Sequence, residues 1–217
     1  MISTPRPRNP KGKGERLRHD IITAATALIG EHGQAGLTLR AIARTAGVTA
    51  PAIYDHFDDL DDVRRAVVDH TFVEFAAFLA RRAGDRTEPA DRLDALCRAY
   101  VEYGITQPQQ YAVMFGAGAV PPSRTAAPKS VETMQGAGAF QLLLEAVRAC
   151  PDSSGQHDGQ SLHTAMAVWV ALHGYVGLRV AAPDVPWPAG DALLETLVQR
   201  LVCSDHATSP QPQISKP

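Results

Sequence analysis

Thr38-Leu39-Arg40-Ala41-Ile42-Ala43-Arg44-Thr45-Ala46-Gly47-Val48-Thr49-Ala50-Pro51-Ala52-Ile53-Tyr54-Asp55-His56-Phe57 decides the reading of this chain. Leu39, Ile42, Ala43 and Ala46 recur at helical spacing on one face. Thr38 stands where its hydroxyl can cap the helix they form. Gly47 stands where that helix stops, because glycine takes left-handed backbone at little cost. Thr49 is placed to cap a second short helix. Pro51 falls in the first turn of that helix, where a missing N–H costs little. Two short helices about a glycine-containing turn make a helix-turn-helix, whose second helix enters the DNA major groove.

Charge divides along the chain in the same sense. The 217 residues carry a net charge of −2, yet residues 1–57 hold eight Lys/Arg against four acids. That leaves +4 on the first segment and −6 on the remainder. A DNA-reading head on an acidic body has this asymmetry, and so does an acidic body with a basic tail. An apolar content of 45% is enough to bury the core of one large or two small domains. Cys97, Cys150 and Cys203 are odd in number, widely separated and without metal or redox spacing. They point to a reducing compartment and to buried structural thiols rather than a redox sensor. The N-terminus lacks the apolar core of a signal peptide, and the apolar run over 165–178 is interrupted by His173 and short for a bilayer. A cytoplasmic protein without a membrane partner is expected.

Periodicity predicts an all-α chain in four segments: 1–14, 15–60, 61–203 and 204–217. Residues 1–14, with three prolines and two glycines among basic residues, form an arm expected to be flexible. Its basic residues can reach phosphates or a minor groove, or simply keep the chain soluble. A first helix carries Leu17, Ile21, Ala24, Ala25 and Leu28 on one face and ends near Gly33. Asp58 or Asp59 caps a long helix running to about Ala83. Pro89 opens another, through Leu93, Leu96, Tyr100 and Val101. A short helical piece covers Tyr111 to Phe115, followed by a loop over 117–129. Helix is predicted from Val131 to Ala149, a polar loop over 151–159, and helices over Leu162 to Val180 and Ala189 to Leu201. The tail from 204 is expected to be disordered.

The Leu162–Val180 helix is apolar nearly all the way round, which predicts burial on several sides. Gly174 and Gly177 would admit a close helix. With the last helix it could build a four-helix interface between two copies, or the two could close their own domain.

The ordered set Gly33, Thr38, Ile42-Ala43, Ala46-Gly47-Val48-Thr49, Tyr54 and His56-Phe57 resembles the TetR-type regulators over the first 60 to 70 residues. A second segment, Trp169-Val170-Ala171-Leu172-His173-Gly174, resembles the Trp…His-Gly motif of one C-terminal domain class of those regulators, as does Tyr111–Gly116. The resemblance implies a three-helix DNA-binding head with a helix-turn-helix (15–60), joined to a helical ligand-binding and dimerisation domain (61–203). It implies a homodimer on a palindromic operator, repression by default, and release by a small-molecule effector. No cofactor is implied. Carried over by position, Thr49, Ala50 and Pro51 lie against base edges, and Tyr54 and His56 against the backbone. Thr38, Arg40, Arg16 and Arg18 complete the expected DNA-binding set. Ala50 and Pro51 offer bases only apolar contact, so the operator is not legible.

Candidate ligand contacts are Tyr100, Tyr103, Met114, Phe115, Met134, Phe140, Met166, Trp169 and His173. Aromatic and Met side chains with a few polar tips suit a mostly apolar ligand, and they equally suit plain core packing. The eight histidines show no metal-ligand spacing. There is no phosphate loop, nucleophile elbow or paired carboxylate on an apolar helix, so neither a metal nor an enzyme activity is expected. A DNA binder without ligand control and a helical protein-interaction module are the other classes that fit.

One position departs from the family. Its frequent phosphate-contacting lysine at the start of the fourth helix is Leu60 here, flanked by Asp58, Asp59, Asp61 and Asp62. Acids favour a helix N-terminus but oppose phosphate. Arg16, Arg18 and the basic arm are therefore expected to compensate. Deleting residues 1–14 should flatten the dependence of DNA affinity on salt concentration, read from binding at several ionic strengths.

Overall fold

The computed structural model describes residues 13–116, 134–150, 158–188 and 192–203. Among them every regular element is helical. The elements are α1 (Lys13–His32), a 3-10 turn (Gln34–Gly36), α2 (Leu39–Thr45), α3 (Ala50–Tyr54), α4 (Leu60–Ala83), α5 (Pro89–Thr106), α6 (Pro108–Phe115), α7 (Ala137–Ala149), α8 (Asp158–Ala181) and α9 (Ala192–Cys203). The predicted arm up to residue 12, the loop over 117–129, most of the polar loop and the tail lie outside the described residues.

By compactness the chain forms two units, residues 1–74 with 107–136, and residues 75–106 with 137–217. Helix α4 contributes to both units, and α6 belongs to the first because it packs on α1. Gly30 permits that approach, since a Cβ there would lie 3.0 Å from Nε2 of Gln110.

The first unit is built on Ile21, Leu37, Ile42, Ile53, Val63 and Val67, all fully buried. Each such side chain contributes about 1.5–3 kcal/mol relative to exposure. Phe72 meets Phe115 edge-on at 5.4 Å. The buried Thr71 hydroxyl donates to the Val67 carbonyl at 2.7 Å, so no polar group is stranded there.

In the second unit Phe75 packs on Tyr100 and Tyr103, with ring centres 5.2 and 4.8 Å apart. Helices α5 and α8 cross at Gly104, where a Cβ would lie 2.4 Å from Val176. Arg98 donates to Asp94 at 2.7 Å and to Glu195 at 2.5 Å, tying α5 to α9. Burial pushes the Cys97 thiol up to about 12, which makes it an inert core group.

Three expectations are corrected. Helix α7 begins at Ala137 rather than 131, because Gly136 adopts a left-handed backbone (φ 82°) immediately before it. Helix α8 is longer than predicted, and Gly159–Ala181 is long and apolar enough to cross a membrane by length and composition alone. Nor is α8 buried on several sides. Ala165, Val168, Leu172, Tyr175 and Val176 form one buried stripe, while Val170 and Leu178 are about 60% exposed, at 62% and 59%.

Gly47→Ala tests the backbone argument. A Cβ at Gly47 would meet nothing within 4 Å, so the cost is that of left-handed backbone alone (φ 67°). Stability should fall by about 1–2 kcal/mol, measured by denaturant unfolding.

Candidate nucleic-acid interface

The helix-turn-helix is held by backbone groups. Thr38 takes extended backbone before α2 and its hydroxyl accepts from Ala41 N at 3.1 Å. At the other end Val48 N donates to Ala43 O at 2.9 Å and Gly47 N to Arg44 O at 3.3 Å. This pair of bonds around a left-handed glycine is the Schellman stop. It turns the chain within three residues and delivers it to α3.

Helix α3 is only five residues long, far too short to persist by itself. Pro51 presets its first turn, and Ile53 (0% exposed) and Phe57 (2%) anchor it into the core. With its inner face so fixed, the outer one presents Thr49, Pro51 and Tyr54, all exposed, with Ala50 partly so. Thr49 has the backbone of an N-cap, but its side chain makes no capping bond, contrary to the sequence expectation. Pro51 has no N–H that needs a cap, and Ala52 N already reaches Thr49 O at 3.0 Å. The hydroxyl of Thr49 is thus uncommitted to the helix.

The expected phosphate contacts fall on three elements. Arg40 is exposed on α2, and Arg16 and Arg18 are exposed on α1. Arg18 is more constrained than the sequence suggested, because its guanidinium lies over the Phe57 ring at 5.0 Å. His56 is half-buried, and its Cε1 lies 3.5 Å from where a Cβ on Gly14 would stand. The anchor Phe57 and the candidate contacts Arg18 and His56 therefore meet beside α1.

The acids at the start of α4 are engaged internally. Asp62 N donates to Asp59 Oδ1 at 2.7 Å, and Asp58 N donates back to Asp62 Oδ2 at 3.3 Å. Asp59 is thus the cap. Arg64 pairs with Asp61 at 2.7 Å and Arg65 with Asp62 at 3.5 Å. Sequence reasoning counted these acids and passed over the two arginines. The signal was present, since each arginine lies three residues beyond its acid on one helix face. Arg64 Nε is buried without a partner.

The candidate ligand contacts do not all share a compact unit. Met114, Phe115 and Met134 lie in the first, where Phe115 is engaged by Tyr111 at 4.9 Å as well as by Phe72. Tyr100, Tyr103, Phe140, Met166, Trp169 and His173 lie in the second. There Phe140 meets Trp169 edge-on at 5.6 Å. Burial lowers the His173 pKa below its ordinary 6.5, so the ring is neutral near pH 7 and offers one donor and one acceptor.

Residues 21–67 match the tetR family of bacterial regulatory proteins, and residues 93–201 match the tetracyclin repressor-like C-terminal domain. An uncharacterised HTH-type transcriptional regulator of Mycobacterium tuberculosis is 30% identical over 188 residues, covering 85% of this chain and 79% of its own. The fatty acid degradation regulator FadR from Bacillus halodurans superimposes with a TM-score of 0.61 at 19% identity, covering 92% of this chain and 100% of that one. FadR of Bacillus subtilis, solved with stearoyl-CoA, gives 0.60 at 16% identity, covering 87% of this chain and 99% of that one. Both structural likenesses concern the fold. The helix-turn-helix geometry and the two matched segments place this chain in the TetR family of DNA-binding transcriptional regulators.

Proposed function

We propose that this regulator is a homodimeric repressor that binds a palindromic operator and is released by a small, mostly apolar effector. The observation that carries the reading is the outward face of α3, held rigid from beneath by Ile53 and Phe57. Thr49, Ala50 and Pro51 read base edges there. Tyr54, His56, Thr38, Arg40, Arg16 and Arg18 position the backbone. With few hydrogen-bond donors on α3, discrimination leans on thymine methyl contacts and DNA shape.

The exposed stripe of α8 supports the dimer. Ala167, Val170, Gly174, Gly177, Leu178 and Ala181 recur at helical spacing and are all exposed. A Cβ at Gly174 or Gly177 would meet nothing of this chain within 4 Å. An apolar face with small residues suits the same face of a second copy about a twofold axis, and two heads then address two half-sites. The effector site draws on Tyr100, Tyr103, Phe140, Met166, Trp169 and His173. Effector binding lowers DNA affinity only in so far as the effector prefers the conformation that does not bind DNA, with couplings of about 1–3 kcal/mol being typical. The absence of a membrane partner and a cytoplasmic location follow from a role on chromosomal DNA.

Selection of bound sequences from a random DNA pool by the purified protein is the direct test. Recovery of a palindrome with a steep salt dependence is the expected outcome, and no enrichment by the folded dimer overturns the reading. Tyr54→Ala should weaken binding about uniformly across DNA sequences without altering the melting temperature, since Tyr54 is 58% exposed. Val170→Glu with Leu178→Glu should give monomers in sedimentation and abolish tight operator binding.

A further inference from the structure

A groove of about 470 Å³ runs between α1 and α4 within the first unit. Glu15, Arg18 and His19 line it from α1, and Asp69, His70 and Val73 from α4. The two imidazoles, far apart in sequence, stand with ring centres 5.8 Å apart and planes at 87°. We propose that this groove binds a divalent transition-metal ion of the zinc class, with His19 and His70 as its protein nitrogen ligands.

The spacing fits the chemistry. With zinc–nitrogen bonds of about 2.0–2.1 Å, two imidazoles on one tetrahedral ion hold their ring centres roughly 5–6 Å apart. The edge-to-face pose needs a ring turn to aim both nitrogens at one point. Histidine χ2 is a broad torsion, and His19 is exposed and His70 only half-buried, so the turn is open to both. Thr23 Oγ1 lies 3.5 Å from His19 Nδ1. That is the place of an outer-shell partner, and it leaves Nε2 for the ion.

The surrounding charge favours a cation. Glu15 lies one turn before His19 on the same face of α1. Asp69 is steadied by Gln135, whose Nε2 donates to Oδ1 at 2.9 Å, and its second oxygen is left over. Arg18 would oppose a cation, but its guanidinium is drawn onto Phe57. No three His, Cys, Asp or Glu side chains converge to cage a metal among the described residues. Water therefore completes the coordination, for which the groove has room at about 30 Å³ per molecule. Two protein nitrogens and water make an open, exchangeable site rather than a structural one. Because its ligands come from two helices, the ion would fasten α1 to α4.

Titration of the chelator-treated full-length protein with zinc chloride, followed by calorimetry, tests this. One ion should bind per chain in the micromolar range. His19→Ala and His70→Ala should each weaken it on the order of tenfold or more. His163→Ala, an exposed histidine of α8, should leave it unchanged. Zinc should also raise the melting temperature of the parent protein and of His163→Ala, and of neither groove variant. His70→Gln, which keeps side-chain size, separates lost ligation from lost packing if His70→Ala shows altered circular dichroism. Absence of saturable binding below millimolar zinc, or binding that survives loss of either groove histidine, overturns the proposal.

Discussion

The head depends on one backbone event, the left-handed turn at Gly47. Two of the carbonyls left open at the end of α2, those of Ala43 and Arg44, are satisfied by Val48 N and Gly47 N, and this is possible only with a positive φ at residue 47. Any other residue there would bear about 1–2 kcal/mol of strain. Because the chain reverses within this turn, Ile53 and Phe57 reach the same core as Ile42 and Leu37. Helix α3 has no stability of its own, so its outward face is positioned entirely by what its inward face buries.

The electrostatics at the start of α4 follow from a second local economy. Four aspartates in five residues look hostile to DNA when counted as charges. In the fold Asp59 caps the helix, Asp61 pairs with Arg64, and Asp62 both pairs with Arg65 and closes the reciprocal bond to Asp58 N. The field that phosphate would meet is smaller than the sequence count implies, although exposed pairs of this kind are weak and screened by salt. Among the described residues no such ion pair engages Arg16 and Arg18 of α1 or Arg40 of α2.

The second unit is organised around α8, whose two faces are both apolar but differ in what they meet. One stripe packs on α5, α7 and α9, with Gly104 of α5 admitting the closest approach. The other holds two glycines with open space around them and two exposed aliphatic residues. An apolar helix of this length therefore does not identify itself as core, interface or membrane span. Its neighbours do.

The all-α class, the ends of most helices and the helix-turn-helix were legible in the sequence, because they rest on local physics: hydrophobic period, hydroxyl caps, glycine stops and proline starts. Thr38, Gly47 and Pro89 each act within a few residues of themselves and so could be read in place. What tertiary structure decided was which groups meet across the chain. Thr49 occupies the cap position, but its hydroxyl makes no capping bond. Met114 and Phe115 lie on α6, whose place in the first unit comes from its packing on α1. His19 and His70 show no spacing that marks them as a pair, and only the packing of α4 beside α1 brings their rings together. Local conformational preference is written in neighbouring residues, whereas proximity between distant ones is set by the packing of whole helices, to which no short stretch of sequence points.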